Sequence, residues 1–109
     1  MIWLLTDFGH AGPYVGQLRA AAVRAAPEVP VVDLMHDAPA FRPDLAAYLL
    51  RALLREVAAG DVVVAVVDPG VGTERAAIAA RVDGRWLVAP DNGLLEPALR
   101  DATRLETFI

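Results

Sequence analysis

At 109 residues the chain has room for one domain with one core, because domains cluster at roughly 100–150 residues. A net charge of −4, with ten arginines scattered along the chain, provides no footprint for a polyanion, and the run Val62–Val67 is far shorter than the roughly 20 apolar residues that cross a bilayer. Nucleic acid and membrane are therefore excluded as expected partners, and with no basic stretch ahead of an apolar one at the start, the expected location is the cytosol. The sequence holds no Cys, Ser or Lys, which removes thiolate metal sites, Ser and Cys nucleophiles and Schiff-base lysines together. Hydrophobic residues make up 56% of the chain, high for a small domain, so extra apolar surface is expected, covered by another subunit or by a further segment.

Taken in chain order, Ile2 to Thr6 is a short apolar run ending at a glycine-containing turn, as in a buried parallel strand. Pro13 suits a first helical position, and Val15, Leu18, Ala22 and Ala25 recur at helical spacing up to Pro27. Pro30 to Leu34 forms a second strand. After a loop from Met35 to Arg42, Pro43 opens a helix with Leu45, Leu49, Leu53 and Val57 on its apolar stripe, and Gly60 stops it. Asp61 to Val67 is β-branched without alternation, which predicts a central strand covered on both faces. Ala76–Val82 and Arg85–Ala89 flank Asp83-Gly84, a dipeptide suited to a tight hairpin. Pro90 to Gly93 is a turn before a short helix near Leu94–Leu99, and Thr103–Ile109 is a last strand. The expected fold is α/β: a three-layer, Rossmann-like mixed sheet with helices on both faces and one antiparallel hairpin.

Ligands of open α/β sheets sit beyond the carboxyl ends of the strands, which draws attention to three segments: Thr6-Asp7-Phe8-Gly9, Asp68 to Arg75, and Asp91-Asn92-Gly93. Asp7 either caps the following helix or accepts hydrogen bonds from a ribose diol; Pro13 places that helix several residues later. Asp-Phe-Gly also occurs in the kinase metal loop, but no kinase glycine-rich or catalytic-loop pattern precedes it. Gly70 and Gly72 let backbone N–H groups turn inward as an anion-friendly nest, without the Gly-Lys-Ser/Thr ending of a phosphate loop. Asp68 and Arg75 can also be read as a structural ion pair, Asn92-Gly93 as a plain turn, Phe41 as core and His36 as a hydrogen-bonded loop residue. Neither His10 nor His36 has metal-ligand spacing, so no metal is expected.

Together and in order, LLTDFG with PYVG at 4–9 and 13–16, VDLMHDAP at 32–39, AVVDPGVGTER at 65–75 and APDNGLL at 89–95 resemble the S-adenosylmethionine (SAM) hydroxide adenosyltransferases. These are adenosine-forming SAM hydrolases related to fluorinating and chlorinating enzymes. The resemblance runs the length of the chain, as residues 1–109 of an N-terminal SAM- or adenosine-binding domain. It implies hydrolysis of SAM to adenosine and methionine by attack of water at the ribose C5′, with no cofactor. By the same resemblance Asp68 and Arg75 are catalytic, as two members of an Asp-Arg-His set. Asp7 binds the ribose, Phe41 takes the place of an adenosine-stacking aromatic, and Phe8, Thr73 and Asn92 complete the substrate-binding set. Asp68 separates the chain from the fluorinating relatives, which carry tyrosine there, and Gly12 stands where the family usually has Asp. The family's histidine and C-terminal β-barrel domain fall beyond Ile109, and its sites form between subunits of a homotrimer. A non-catalytic adenosine- or SAM-binding module is the competing class, with a halogenase-like enzyme third.

Overall fold

The computed structural model describes residues 1–69 and 76–108. Six strands form one sheet in the order β2-β1-β3-β5-β4-β6: β1 Ile2–Thr6, β2 Val31–Met35, β3 Val62–Val66, β4 Ala77–Val82, β5 Arg85–Pro90 and β6 Leu105–Phe108. Strands β2, β1, β3 and β5 are parallel, while β4 runs antiparallel to both β5 and β6. The sheet is mixed, as its sequence predicts.

Helix α1 (Tyr14–Ala25) carries the chain from β1 to β2, and α2 (Pro43–Leu53), followed by a 3-10 turn at Leu54–Glu56, carries it back across β1 to β3. Because parallel crossovers are right-handed, these opposite lateral steps put α1 and α2 on opposite faces. A short α3 (Glu96–Arg100) joins α2 on its face. The core lies there: Leu5, Val63, Ala65, Leu87 and Ala89 from the strands meet Ala46, Ala47, Leu50, Leu94 and Ala98.

Two expectations fail on burial. Strand β3 is not covered equally on its two faces, for Val63 and Ala65 are buried while Val62, Val64 and Val66 remain half-buried. Its sequence carries no alternation because valine fits either side of a pleat. The stripe expected on α2 is also displaced, since Leu45 and Leu49 are exposed and Ala46, Ala47 and Leu50 are buried. Apolar residues surround this helix, so their spacing does not single out a face. Leu53 and Val57 do pack with the core. In α1 no residue is fully buried, and Pro13 stands one position before the helix as its N-cap. Tyr14, Phe41, Leu45 and Tyr48 are exposed large apolar residues, the surplus that composition predicts.

The hairpin at Asp83-Gly84 forms with φ of +50° and +85°, the paired left-handed geometry of a tight turn that matches strand twist. Gly84 is required twice over, because a Cβ there would stand 3.1 Å from the Ala59 Cβ while the Gly84 carbonyl accepts the Gly60 N–H. At the other end of the sheet, in-register pairing of Thr6 with Val66 brings the exits of β1 and β3 together, so Asp7 after β1 and Asp68 after β3 lie at the same edge.

Candidate functional site

Two loops meet beyond the carboxyl ends of β1 and β2. The Ala38 N–H donates to the Thr6 carbonyl at 3.2 Å, and the Gly9 N–H donates to the His36 carbonyl at 2.7 Å. Side chains join them as well. The Thr6 hydroxyl and His36 Nδ1 are 2.7 Å apart, and the Thr6 oxygen accepts the Phe8 N–H at 3.2 Å. Asp7 closes the arrangement by accepting the Phe41 N–H at 2.7 Å. It therefore does not cap α1, whose N-cap Pro13 offers no side-chain bond.

That bond fixes Phe41 at φ +56°, a left-handed conformation that costs a bulky residue about 1–2 kcal/mol and persists only when its surroundings impose it. The strain presents the ring outward, 66% exposed, at the rim of a cavity of about 410 Å3. Asp7, Phe8, Tyr14, Phe41, Val66 and Asp68 line this cavity. Phe8 and Tyr14 stand edge to face, with ring centroids 6.1 Å apart. Asp68 is almost buried at 7% exposure, directly past the end of β3. A carboxylate has about four acceptor positions, so Asp7 retains capacity for a diol while holding Phe41. Apolar walls with a few convergent polar groups are what a small-molecule site requires.

Four of the seven residues expected from sequence thus converge: Asp7, Phe8, Phe41 and Asp68. Asn92 lies at the same end of the sheet, but its side chain ties the chain together. Its amide donates to the Val67 carbonyl at 2.9 Å, and its oxygen accepts the Leu94 N–H at 3.1 Å. Thr73 and Arg75 fall outside the described residues. Tyr14 and Val66 join the lining without having been singled out; the signal for Tyr14 is the Pro-Tyr pair that opens α1 after the site loop. His36, 1% exposed, is a hydrogen-bonded loop residue, as one reading of the sequence has it. Its Nε2 lies 2.7 Å from Asp33 Oδ1, which Arg19 also reaches at 2.8 Å. The His36 contact, then Arg19, holds the Asp33 carboxyl below the ordinary range. Among the described residues no cluster of His, Cys, Asp and Glu is arranged to hold a metal ion, and no helix is long and apolar enough to cross a membrane.

The chain is similar to known proteins in both sequence and fold. Residues 2–109 match the model of the SAM hydroxide adenosyltransferase N-terminal domain. An (R)-S-adenosyl-L-methionine hydrolase of Thermus thermophilus is 49% identical over 94 residues, covering 85% of this chain and 36% of that protein. One from Salinispora arenicola is 42% identical over 90 residues, covering 83% and 34%. The chain thus spans about a third of the length of these relatives. Among solved structures, an uncharacterized conserved protein from Thermotoga maritima superposes with a TM-score of 0.86 at 34% identity, over 100% of this chain and 43% of that one. A conserved hypothetical protein from Thermus thermophilus superposes at 0.80 with 41% identity, over 99% and 46%. With a sequence match along its whole length and the fold to go with it, the chain belongs to the SAM hydroxide adenosyltransferase family, as its N-terminal domain.

Proposed function

We propose that this domain carries the adenosine side of a site that hydrolyses SAM to adenosine and L-methionine. The observation that supports it is the cavity at the strand exits, where two carboxylates, Asp7 and Asp68, stand among three aromatic side chains in a member of this family. Asp7 accepts the ribose hydroxyls, and the Phe41 ring, held out by that same carboxylate, stacks on the base. Phe8 and Tyr14 form the remaining aromatic wall.

In the reaction, water oxygen bonds to ribose C5′ as the C5′–sulfur bond breaks, and the bonding pair leaves with sulfur. The sulfonium becomes a neutral thioether, so the leaving group needs no acid and the burden falls on the nucleophile. Asp68 orients the water and accepts the proton it loses, and its near-burial keeps competing solvent away. By the family resemblance Arg75 serves catalysis with Asp68 and Thr73 binds substrate, and Asn92 acts by holding the β3 exit to the turn before α3. No cofactor takes part, and the partners are SAM, a second domain and further subunits of a cytoplasmic trimer.

The test is chromatography of adenosine released from SAM by the full-length protein containing this domain. Asp68→Ala should slow release by roughly 10²–10³-fold while adenosine still binds. Asp7→Ala should instead weaken adenosine binding by about 1.5–3 kcal/mol, as for a hydrogen bond to a charged group. SAM bound without release by the wild-type protein would overturn the hydrolase reading in favour of a binding module.

A further inference from the structure

The segment Val32 to Pro39 supplies no residue to the cavity, yet it contains a buried titratable side chain that the proposed chemistry does not use. His36 is 1% exposed and Thr6 is 0% exposed, and they meet at 2.7 Å directly beneath the Asp7-Phe8-Gly9 turn. Burying two polar groups is costly unless every donor and acceptor is matched. Directions can be assigned from the outer end of the network inward. Asp33 is ionised and therefore only accepts, so the 2.7 Å contact places a proton on His36 Nε2. The Thr6 oxygen already accepts the Phe8 N–H, and at 0% exposure its own proton needs an acceptor, which Nδ1 provides when it carries no proton; the Thr6 hydroxyl therefore donates to Nδ1. That donation aims the oxygen lone pairs at the Phe8 N–H, 3.2 Å away.

We propose that His36, as the neutral Nε2–H tautomer, is a positioning residue that sets the Asp7-Phe8 turn through the Thr6 hydroxyl and so holds the adenosine subsite in register. The bonds run one way: Phe8 N–H to Thr6 oxygen, Thr6 hydroxyl to Nδ1, Nε2–H to the Asp33 carboxylate that Arg19 anchors from α1. Such a chain is self-reinforcing, since each donor is polarised by the acceptor beyond it. The backbone bond from Gly9 N–H to the His36 carbonyl fixes the far side of the same turn. Asp7, between these two anchors, is thereby aimed with the Phe41 N–H on one side and the cavity on the other.

The effect on ligand rests on the adenosine reading, so the test has an arm that needs no ligand. Long-range 1H–15N correlation on the wild-type protein should show a neutral imidazole protonated at Nε2; protonation at Nδ1 would overturn the assignment. Two substitutions then divide the ring, because asparagine places an amide near Nδ1 and glutamine places one near Nε2. His36→Asn keeps the Thr6 arm and should hold adenosine affinity within about twofold. His36→Gln and Thr6→Val lose that arm and should bind adenosine roughly 5–10-fold more weakly, the effect of one net hydrogen bond. The same two variants should exchange the Phe8 amide faster than His36→Asn does, at comparable melting temperatures. Equal losses in His36→Asn and His36→Gln, tracking melting temperature alone, would reduce His36 to a structural role. If wild type fails to bind adenosine, the adenosine reading falls, and the tautomer and the Phe8 exchange rates still decide the positioning role.

Discussion

The two faces of the sheet are held in different ways. On the α2 and α3 face, alternate strand residues such as Leu5, Val63 and Leu87 are buried against Ala46, Ala47 and Leu50. On the opposite face α1 buries no residue fully, and Val62, Val64, Val66, Trp86 and Val88 are only half-covered. Leu4 is fully buried on this face as well, and polar bonds supplement its packing: Arg19 of α1 reaches Asp33 at 2.8 Å and the Val31 carbonyl at 3.3 Å, both on β2. One face thus relies chiefly on excluded water, the other on a thinner apolar layer together with directed bonds that hold the site loops. The cavity belongs to the second, for Tyr14 of α1 and Val66 both line it.

The largest expected effect follows from this contrast. Leu50→Ala should destabilise the protein by about 2–5 kcal/mol, whereas Val23→Ala, on the exposed side of α1, should cost no more than about 0.5 kcal/mol. Urea denaturation measures both, and equal losses would abolish the distinction. A smaller effect is expected where the two modes meet. Asn92→Ala removes the tie between Val67 and the turn ahead of α3, leaving a backbone carbonyl and an N–H to find other partners, at a cost of about 1–3 kcal/mol. Urea midpoints again test it, and a neutral result would show that the turn holds itself.

The smallest effect concerns acid. In the folded protein the Asp33 carboxyl titrates below its unfolded value of about 3.9, so its contribution is complete above that value and is lost as pH falls through the lowered one. Asp61, lowered by the Met1 ammonium and by Trp3, behaves in the same sense. Because Asp33 is a main attachment of α1, the amides of that helix should lose exchange protection below about pH 4, before those of α2. Simultaneous loss in both helices would mean that α1 is held chiefly by something else. The exposed Arg42–Asp44 pair at the start of α2 should contribute little to this profile.

What sequence makes legible here follows from the range of each signal. The β-branched run of β3, the Asp83-Gly84 turn and the prolines near helix starts act within a few residues, and each marks its element. The site edge was also readable, because parallel strands bring their exits together whatever their distance in the chain. Asp7, Phe8, Phe41 and Asp68 meet for that reason. The buried side of α2 was not readable, since leucine and alanine alternate around it and packing with α3 makes the choice. Nor was the Thr6–His36 contact, which spans 30 residues and needs the β1–β2 pairing before it exists. The left-handed Phe41 runs against its own preference, and only the carboxylate of Asp7 explains it.

Both tryptophans lie at the end of the sheet away from the cavity. Trp3 is the second residue of β1, bonded to Asp61, and Trp86 is the second of β5, beside Phe108. Intrinsic fluorescence should therefore follow unfolding with little interference from an occupied cavity, while absorbance or tyrosine emission at Tyr14 should respond to occupancy. The molecule thus contains separate optical reporters, one at each end of its strands, for integrity and for ligand.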